Sequence, residues 1–413
     1  MKIAKLSRLT FTALLLLGAV LAQAQVINCV EEPPGSGNFI NPVTGQDCIT
    51  TIQTAVPFLT ISPDARSAAM GDAGVALSPT AASSYFNGSA LAFSERPFEV
   101  QATFTPWLRA LNLNDVYLAN LAGYGRLDDL QVIYGSLRYF SLGSIQFTDQ
   151  NGQPISNGKP YEMAVAGGYA RKLTDEWSAS IAGRFILSSL ASGLEVPGQG
   201  QIIGNGTSGA ADIGVTYKTD VSIGNSSTLR AGANIRNIGA KISYTNSAAK
   251  DFIPTNLAIG SSLQTYFDDF NSFTFTVDFN KLLVPSPVTN FEDVDPMNDR
   301  PDFLDQSPIE GLFNSFGDAQ GGFSEELNEI NLSIGAEYWY AEQFAVRAGY
   351  FNESNTKGGR KYLTLGVGLK YNVLGLDFSY LIPTTSVRNP LDNTLRFGLS
   401  YLFDSDTPEG VDL

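Results

Sequence analysis

Apolar and polar residues alternate along much of this chain, and Asn393–Phe403 does so most cleanly. Leu395, Phe397, Leu399, Tyr401 and Phe403 share one side of an extended strand, and Thr394, Arg396, Gly398 and Ser400 share the other. Phe273, Phe275, Val277 and Phe279 oppose Thr274, Thr276, Asp278 and Asn280 in the same way, as do Leu363, Leu365, Val367, Leu369 and Tyr371 against Thr364, Gly366, Gly368 and Lys370. The pattern predicts fourteen strands: Pro97–Thr105, Val116–Gly125, Leu130–Phe147, Tyr161–Lys172, Glu176–Leu190, Ala210–Lys218, Thr228–Asn237, Leu257–Tyr266, Ser272–Lys281, Ile330–Tyr340, Gln343–Phe351, Tyr362–Tyr371, Gly375–Pro383 and Asn393–Phe403. Alternation blurs in the second and third, and the third is long enough to project beyond the others.

The links between strands carry a second pattern. Those after even-numbered strands are mostly short, such as Arg126–Asp129, Leu173–Asp175, Phe267–Asn271, Ala341–Glu342 and Asn372–Leu374. Those after odd-numbered strands are mostly long, such as Asp149–Pro160, Ala191–Gly209, Ile238–Asn256, Leu282–Glu329 and Thr384–Asp392. Short turns at one end and long loops at the other are the signature of a transmembrane barrel, whose outside is apolar and whose inside is polar. Thr219–Ser227 is the strained case, long for a turn.

The N-terminus agrees with that destination. Lys2, Lys5 and Arg8 precede the apolar run Phe11–Leu21, and Ala22-Gln23-Ala24 forms a cleavage site, so a mature chain starting at Gln25 is expected. The run is shorter than the ~20 apolar residues of a spanning helix, so a membrane anchor is disfavoured. Cys29 lies beyond the cut, which excludes lipidation there. No later apolar run is long enough to span as a helix, and only helices and closed barrels satisfy their backbone in hydrocarbon. The expected fold is therefore all-β, a 14-stranded antiparallel transmembrane β-barrel. The expected division is a signal peptide over 1–24, an extension over 25–56, a plug over 57–96, the barrel over 97–403 and a polar tail over 404–413.

Charge and chemistry narrow the function. The chain has 26 Lys+Arg against 41 Asp+Glu, an excess of acid that argues against nucleic acid or anionic-lipid docking as its main role. Glu292, Asp293, Asp295, Asp299, Asp302 and Asp305 crowd one loop, which reads as a solvated surface more readily than as a calcium site. The chain contains no His, which removes Ser-His-Asp and Cys-His catalysis. Gly204-Asn205-Gly206-Thr207-Ser208-Gly209 matches G-x-G-x-x-G but precedes a strand within a Gly-rich loop, so no nucleotide site is expected. No cofactor and no enzymatic activity are expected. Cys29 and Cys48 are the only cysteines, and an oxidising compartment favours a disulfide between them, worth ~3 kcal/mol of local constraint.

On the polar wall lie Arg184, Arg230, Arg236, Arg347 and Arg396 with Asp212, Asp278, Glu337 and Asp377. The plainer reading is a network of paired charges that stiffens the lumen; the sharper one is a binding or conduction path. The segment Pro57–Phe93 is rich in Ala, Gly and Ser, and suits a compact, partly helical piece against a tight polar wall. A loose periplasmic tail is the alternative, weakened by Phe58, Leu59, Tyr85, Phe86, Leu91 and Phe93, which favour burial.

Three stretches carry a family resemblance. Thr54-Ala55-Val56-Pro57-Phe58-Leu59 runs into Pro63-Asp64-Ala65-Arg66 and Ala69-Met70-Gly71-Asp72-Ala73-Gly74-Val75-Ala76; Tyr85-Phe86-Asn87-Gly88-Ser89-Ala90-Leu91-Ala92-Phe93 follows; and Phe316-Gly317-Asp318-Ala319-Gln320-Gly321-Gly322-Phe323-Ser324-Glu325-Glu326-Leu327 leads into a strand. Together they resemble the FadL-like outer-membrane barrels, and among these the PorV family of the type IX secretion system of Bacteroidota. Two departures are Gly88-Ser89, where such chains usually read Pro-Ala, and the polar tail after Phe403. The resemblance implies a Gram-negative outer-membrane protein with outer-membrane lipid around it and both termini in the periplasm. It implies three protein partners: the large translocon barrel, the C-terminal signal domains of secreted cargo, and a surface sortase-like attachment protein. Ala191–Gly209, Leu282–Glu329 and Thr384–Asp392 are the expected contact loops, with Phe303, Leu304, Ile309, Leu312, Phe313 and Phe316 as the apolar contacts. The rival is a FadL-like transporter of hydrophobic small molecules, in which the same six residues would line a pocket. A general porin is disfavoured by the plug.

Overall fold

The computed structural model describes residues 29–32, 39–108, 113–149, 151–195, 200–223, 226–245, 250–287, 294–295, 300–385 and 393–403. Fourteen antiparallel strands close into one barrel. They are β1 (Phe98–Pro106), β2 (Val116–Arg126), β3 (Gln131–Leu142), β4 (Tyr161–Lys172), β5 (Trp177–Ser189), β6 (Gly206–Val221), β7 (Ser226–Gly239), β8 (Asn256–Tyr266), β9 (Asn271–Leu282), β10 (Asn331–Tyr340), β11 (Phe344–Asn352), β12 (Lys361–Tyr371), β13 (Leu374–Pro383) and β14 (Leu395–Phe403). Each pairs with its neighbours in sequence, and β14 closes the wall on β1, with Phe403 opposite Phe98 and Phe397 opposite Phe104.

Burial runs opposite to that of a soluble protein. In β14, Phe397, Leu399, Tyr401 and Phe403 are exposed while Arg396 and Ser400 are buried. In β9, Thr274, Thr276 and Asp278 are buried while Phe275 and Phe279 are exposed. An apolar outer wall of this kind belongs in hydrocarbon, where an aqueous setting would leave it unsatisfied. Aromatic rings mark its edges. Phe104, Tyr117, Tyr139 and Tyr161 form a row at the long-loop end with successive centroids 5.4, 6.2 and 5.6 Å apart. Trp177 and Tyr217 pack at 4.9 Å toward the short-turn end. Such rings sit at a membrane's two interfaces because they are apolar with a polar tip.

Three elements differ from the pattern-based reading. The third strand stops at Leu142, because Gly143 adopts φ 79° and turns the chain out of the wall. Ile145–Thr148 then pairs with Pro154–Gly158 as a separate ribbon. The sixth and seventh strands run longer than alternation suggests, so the strained Thr219–Ser227 link is mostly ladder. Gly206 to Gly209 of the G-x-G-x-x-G match lie within β6, not in a loop.

The chain before β1 threads the barrel. Thr50 N–H donates to the Thr356 carbonyl at 2.8 Å and Ala55 N–H to that of Phe252 at 2.9 Å, and both acceptors lie in loops of the long-loop end. Asp64 to Ala76 occupies mid-barrel, meeting Gln101 of β1, Ser262 of β8 and Asp278 of β9. Ser94 reaches the short-turn end, where Arg126 donates to its carbonyl at 3.0 Å. Ser94 bonds Tyr124 there as well. Cys29 and Cys48 are joined by a disulfide that ties the arm's small hairpin, Val30–Glu31 with Phe39–Ile40. Because the segment crosses the lumen once, the described N-terminal arm and Phe403 lie at opposite ends of the barrel. The termini themselves, expected on one side, lie outside the described residues.

Candidate functional site

A tightly packed waist lies between the two ends of the lumen. Asp64 caps the short helix α1 (Ala65–Ala68), its carboxylate accepting from Ser67 N–H at 2.7 Å. Gly71 follows with φ 69°, which a glycine adopts without penalty. The wall facing this turn is made of inward glycines. A Cβ on Gly349 would fall 2.1 Å from the Gly71 nitrogen, and one on Gly335 would fall 2.5 Å from Met70 Cβ. One on Gly366 would meet Ala69 Cβ at 2.4 Å. Plug and wall therefore touch backbone to backbone, which explains why Ala68–Gly74 is so poor in large side chains.

Charge locks the same level. Arg66 forks onto Glu337 at 2.9 and 2.7 Å, and Arg347 bridges Glu337 and Asp377 at 2.6 Å each. Asp278 accepts from Gly74 and Val75 N–H at 2.6 and 2.8 Å. Arg184 pairs with Asp212 at 2.5 Å. Arg236 lies over the Tyr85 ring at 4.3 Å and donates to the Tyr85 carbonyl. The polar wall is thus paired partly with itself and partly with the plug. Sequence reasoning missed Arg66 and Arg138, which donates to the carbonyls of Phe58, Leu59 and Ile61. A basic residue inside an Ala-rich run was the available signal for Arg66.

Above the waist is a cavity of about 790 Å³, whose lining includes Phe58, Trp107, Phe140, Phe351 and Tyr362 together with Arg236, Asp278 and Arg396. Below it a polar space of about 270 Å³ is lined by Glu99, Tyr124, Arg230 and Lys370. All fourteen strands are hydrogen-bonded to both neighbours.

The long-loop mouth is clamped by ions. Lys281 contacts Glu326 at 2.8 Å and Glu329 at 2.5 Å; Lys357 contacts Glu325 at 2.5 Å and Glu329 at 3.0 Å. Thr50 Oγ1 donates to Glu325 at 2.7 Å, joining the arm to this cluster. Burial raises the Glu325 pKa, but hydrogen bonds from Lys357, Thr50 and Gly321 N–H outweigh it, so the carboxylate lies below its ordinary value.

Two helices emerge from the clamp. One is α2 (Pro308–Asn314), opened by a capping box in which Ser307 and Glu310 satisfy each other's backbone; the other is α3 (Gly322–Asn328). In α3, Glu325 and Glu326 turn inward to the lysines while Phe323, 78 % exposed, and Leu327 point out. Of the six apolar residues singled out from sequence, Ile309, Phe313 (69 % exposed) and Phe316 are exposed. Phe303, Leu304 and Leu312 are half-buried, and the Leu304 carbonyl accepts from Lys241 at 2.7 Å. Phe323 and Leu327 were missed, although their i, i+4 spacing in the stretch before β10 was a readable signal. Glu292, Asp293 and Asp299, and residues 386–392 of the third contact loop, lie outside the described residues, as do 1–28 and 404–413.

No curated protein matches the chain. Solved structures similar to it include the Pseudomonas putida toluene transporter TodX, at 12% identity with a TM-score of 0.47, covering 82% of this chain and 98% of that one. The Ralstonia pickettii toluene transporter TbuX aligns at 12% identity and a TM-score of 0.46, over 83% of this chain and 98% of its own. A Pseudomonas aeruginosa FadL homologue aligns at 12% and 0.41, over 86% and 100%. Residues 44–289 match the family described as type IX secretion system protein PorV, over more than half of the sequence. The chain belongs to the PorV family, as an outer-membrane β-barrel component of type IX secretion.

Proposed function

We propose that this protein is a non-enzymatic receptor that binds the C-terminal signal domain of secreted cargo at its long-loop end. It takes the cargo from the large translocon barrel and passes it to a surface sortase-like attachment protein. In this reading the long-loop end and the arm face outward, and the end of β14 faces the periplasm. The observation that supports it is the contrast between a lumen closed at the waist and an outer end that holds apolar side chains exposed on clamped helices. Binding at a surface fits that contrast better than passage through a pore.

The test is removal of Phe303–Gly321, which takes out α2 and leaves the clamp on α3 and the inter-strand ladder in place. The shortened protein should still fold, while secreted proteins are made but not attached at the cell surface. Transport of hydrophobic molecules is the second reading, favoured by the aromatic residues in the lining of the outer cavity. Normal attachment together with loss of uptake of a hydrophobic nutrient would select it.

A further inference from the structure

The N-terminal arm and the helical loop are one surface, and their composition specifies a kind of partner. Thr50 ties the arm to Glu325 of α3, Thr356 holds it from the next loop, and Phe252 from a third, so the arm lies across the mouth above the plug. Beside Thr50, Ile49 is exposed, and beside Glu325, Phe323 is exposed. The hydrogen bond between Thr50 and Glu325 therefore ties two distant chain segments, each with an exposed apolar residue, together at the mouth. Helix α3 is inverted relative to a soluble helix, with acid inside and Phe323 and Leu327 outside, which leaves an apolar face that requires cover.

Charge says what can cover it. Between residues 282 and 329 the only basic residue is Arg300, against a run of acids. Asp305 and Glu310 are exposed on the same loop as Ile309 and Phe313. A loop of this acidic composition repels anionic lipid headgroups and favours a basic polypeptide surface. We infer that the disulfide-tied arm and helix α3 form a composite docking surface for a secreted domain whose apolar strip is edged by Lys and Arg. This rests on the cargo reading and assigns it to particular residues.

The test uses the full-length protein in detergent, with the isolated C-terminal domain of a type IX cargo protein from the same organism as probe. The variants are Phe323→Ser with Leu327→Ser, and Cys29→Ser with Cys48→Ser. Both pairs lie outside the wall, so heat-modifiable gel migration should remain that of a folded barrel. Each should weaken binding ~10-fold, the range of a residue at the centre of an interface. Wild-type affinity should fall as salt rises. Wild-type binding that survives both variants would overturn this surface and leave the cargo reading intact. No wild-type binding to the probe would remove both. Binding of wild type, but not Phe323→Ser, to vesicles of phosphatidylglycerol would reassign the face to lipid and overturn the proposal.

Discussion

The waist and the mouth of this barrel are held by different physics. At the waist, Gly335, Gly349 and Gly366 admit the plug's backbone at distances that exclude even a methyl group, and Glu337 sits between two guanidinium groups. At the mouth, Lys281 and Lys357 hold three glutamates in ion pairs, and large apolar side chains remain exposed. Steric contact without slack makes a seal. Ion pairs at an aqueous edge make a clamp that can be loosened. The difference separates a waist packed backbone to backbone from a mouth held by side-chain ion pairs.

The sharpest way to break the comparison is Gly349→Val. Its side chain has no space against Gly71 and Met70, and overpacking there should cost about 3 kcal/mol or more. The yield of heat-modifiable folded barrel should collapse, whereas Gly167→Ala, in open space, should leave it unchanged. Equal yields would mean that the plug is not seated at the waist.

Next in size is Glu337→Gln. It leaves Arg66 and Arg347 buried with a neutral partner, and breaking a buried ion pair on one side costs ~3–5 kcal/mol. Denaturant midpoints should fall, and hydrogen exchange should rise across 64–76 while the mouth stays protected. Uniform destabilisation with no local change in exchange would sink the separation of the two regions.

The smallest effect belongs to the mouth. Glu325 has a folded pKa below its unfolded value of ~4.3, so its stabilisation is complete above that pH and is lost as pH falls through the folded value. Hydrogen-exchange protection over 48–56 and 322–329, taken relative to the intrinsic exchange rate at each pH, should therefore fall at pH 3 relative to pH 7, with the barrel wall unaffected. Lys357→Met should mimic part of this at pH 7, since it removes one cation from Glu325 and Glu329. If acid opened the waist first, the assignment of the two mechanisms would be reversed.

How much of this was legible in the sequence follows from the range of each interaction. The fourteen strands were legible because alternation is local, and β14 or β9 can be read from ten residues. The break at Gly143 was not, since one glycine inside an alternating run looks like any other until its φ is known. The inner segment's small residues indicated a tight fit. Which glycines it would meet depends on strands some 260 to 300 residues later in the chain, such as Gly335, Gly349 and Gly366. The helix α2 was readable from Ser307-Pro308-Ile309-Glu310, a capping box with proline at the first helical position. The arm's direction was not, because threading is a property of the closed wall and leaves no mark in composition.

That threading has a topological consequence. A barrel closed around its own chain is a ring on a string, and the cystine hairpin at the string's outer end is a knot. The waist that rejects a Cβ on Gly349 cannot pass a loop closed by Cys29 and Cys48. Once β14 zips onto β1, the string can be neither inserted nor withdrawn, so the segment must lie across the opening before the last seam shuts. The seam between β14 and β1 is therefore a lock as well as a ladder, and the cystine loop at the outer end opposes withdrawal of the segment.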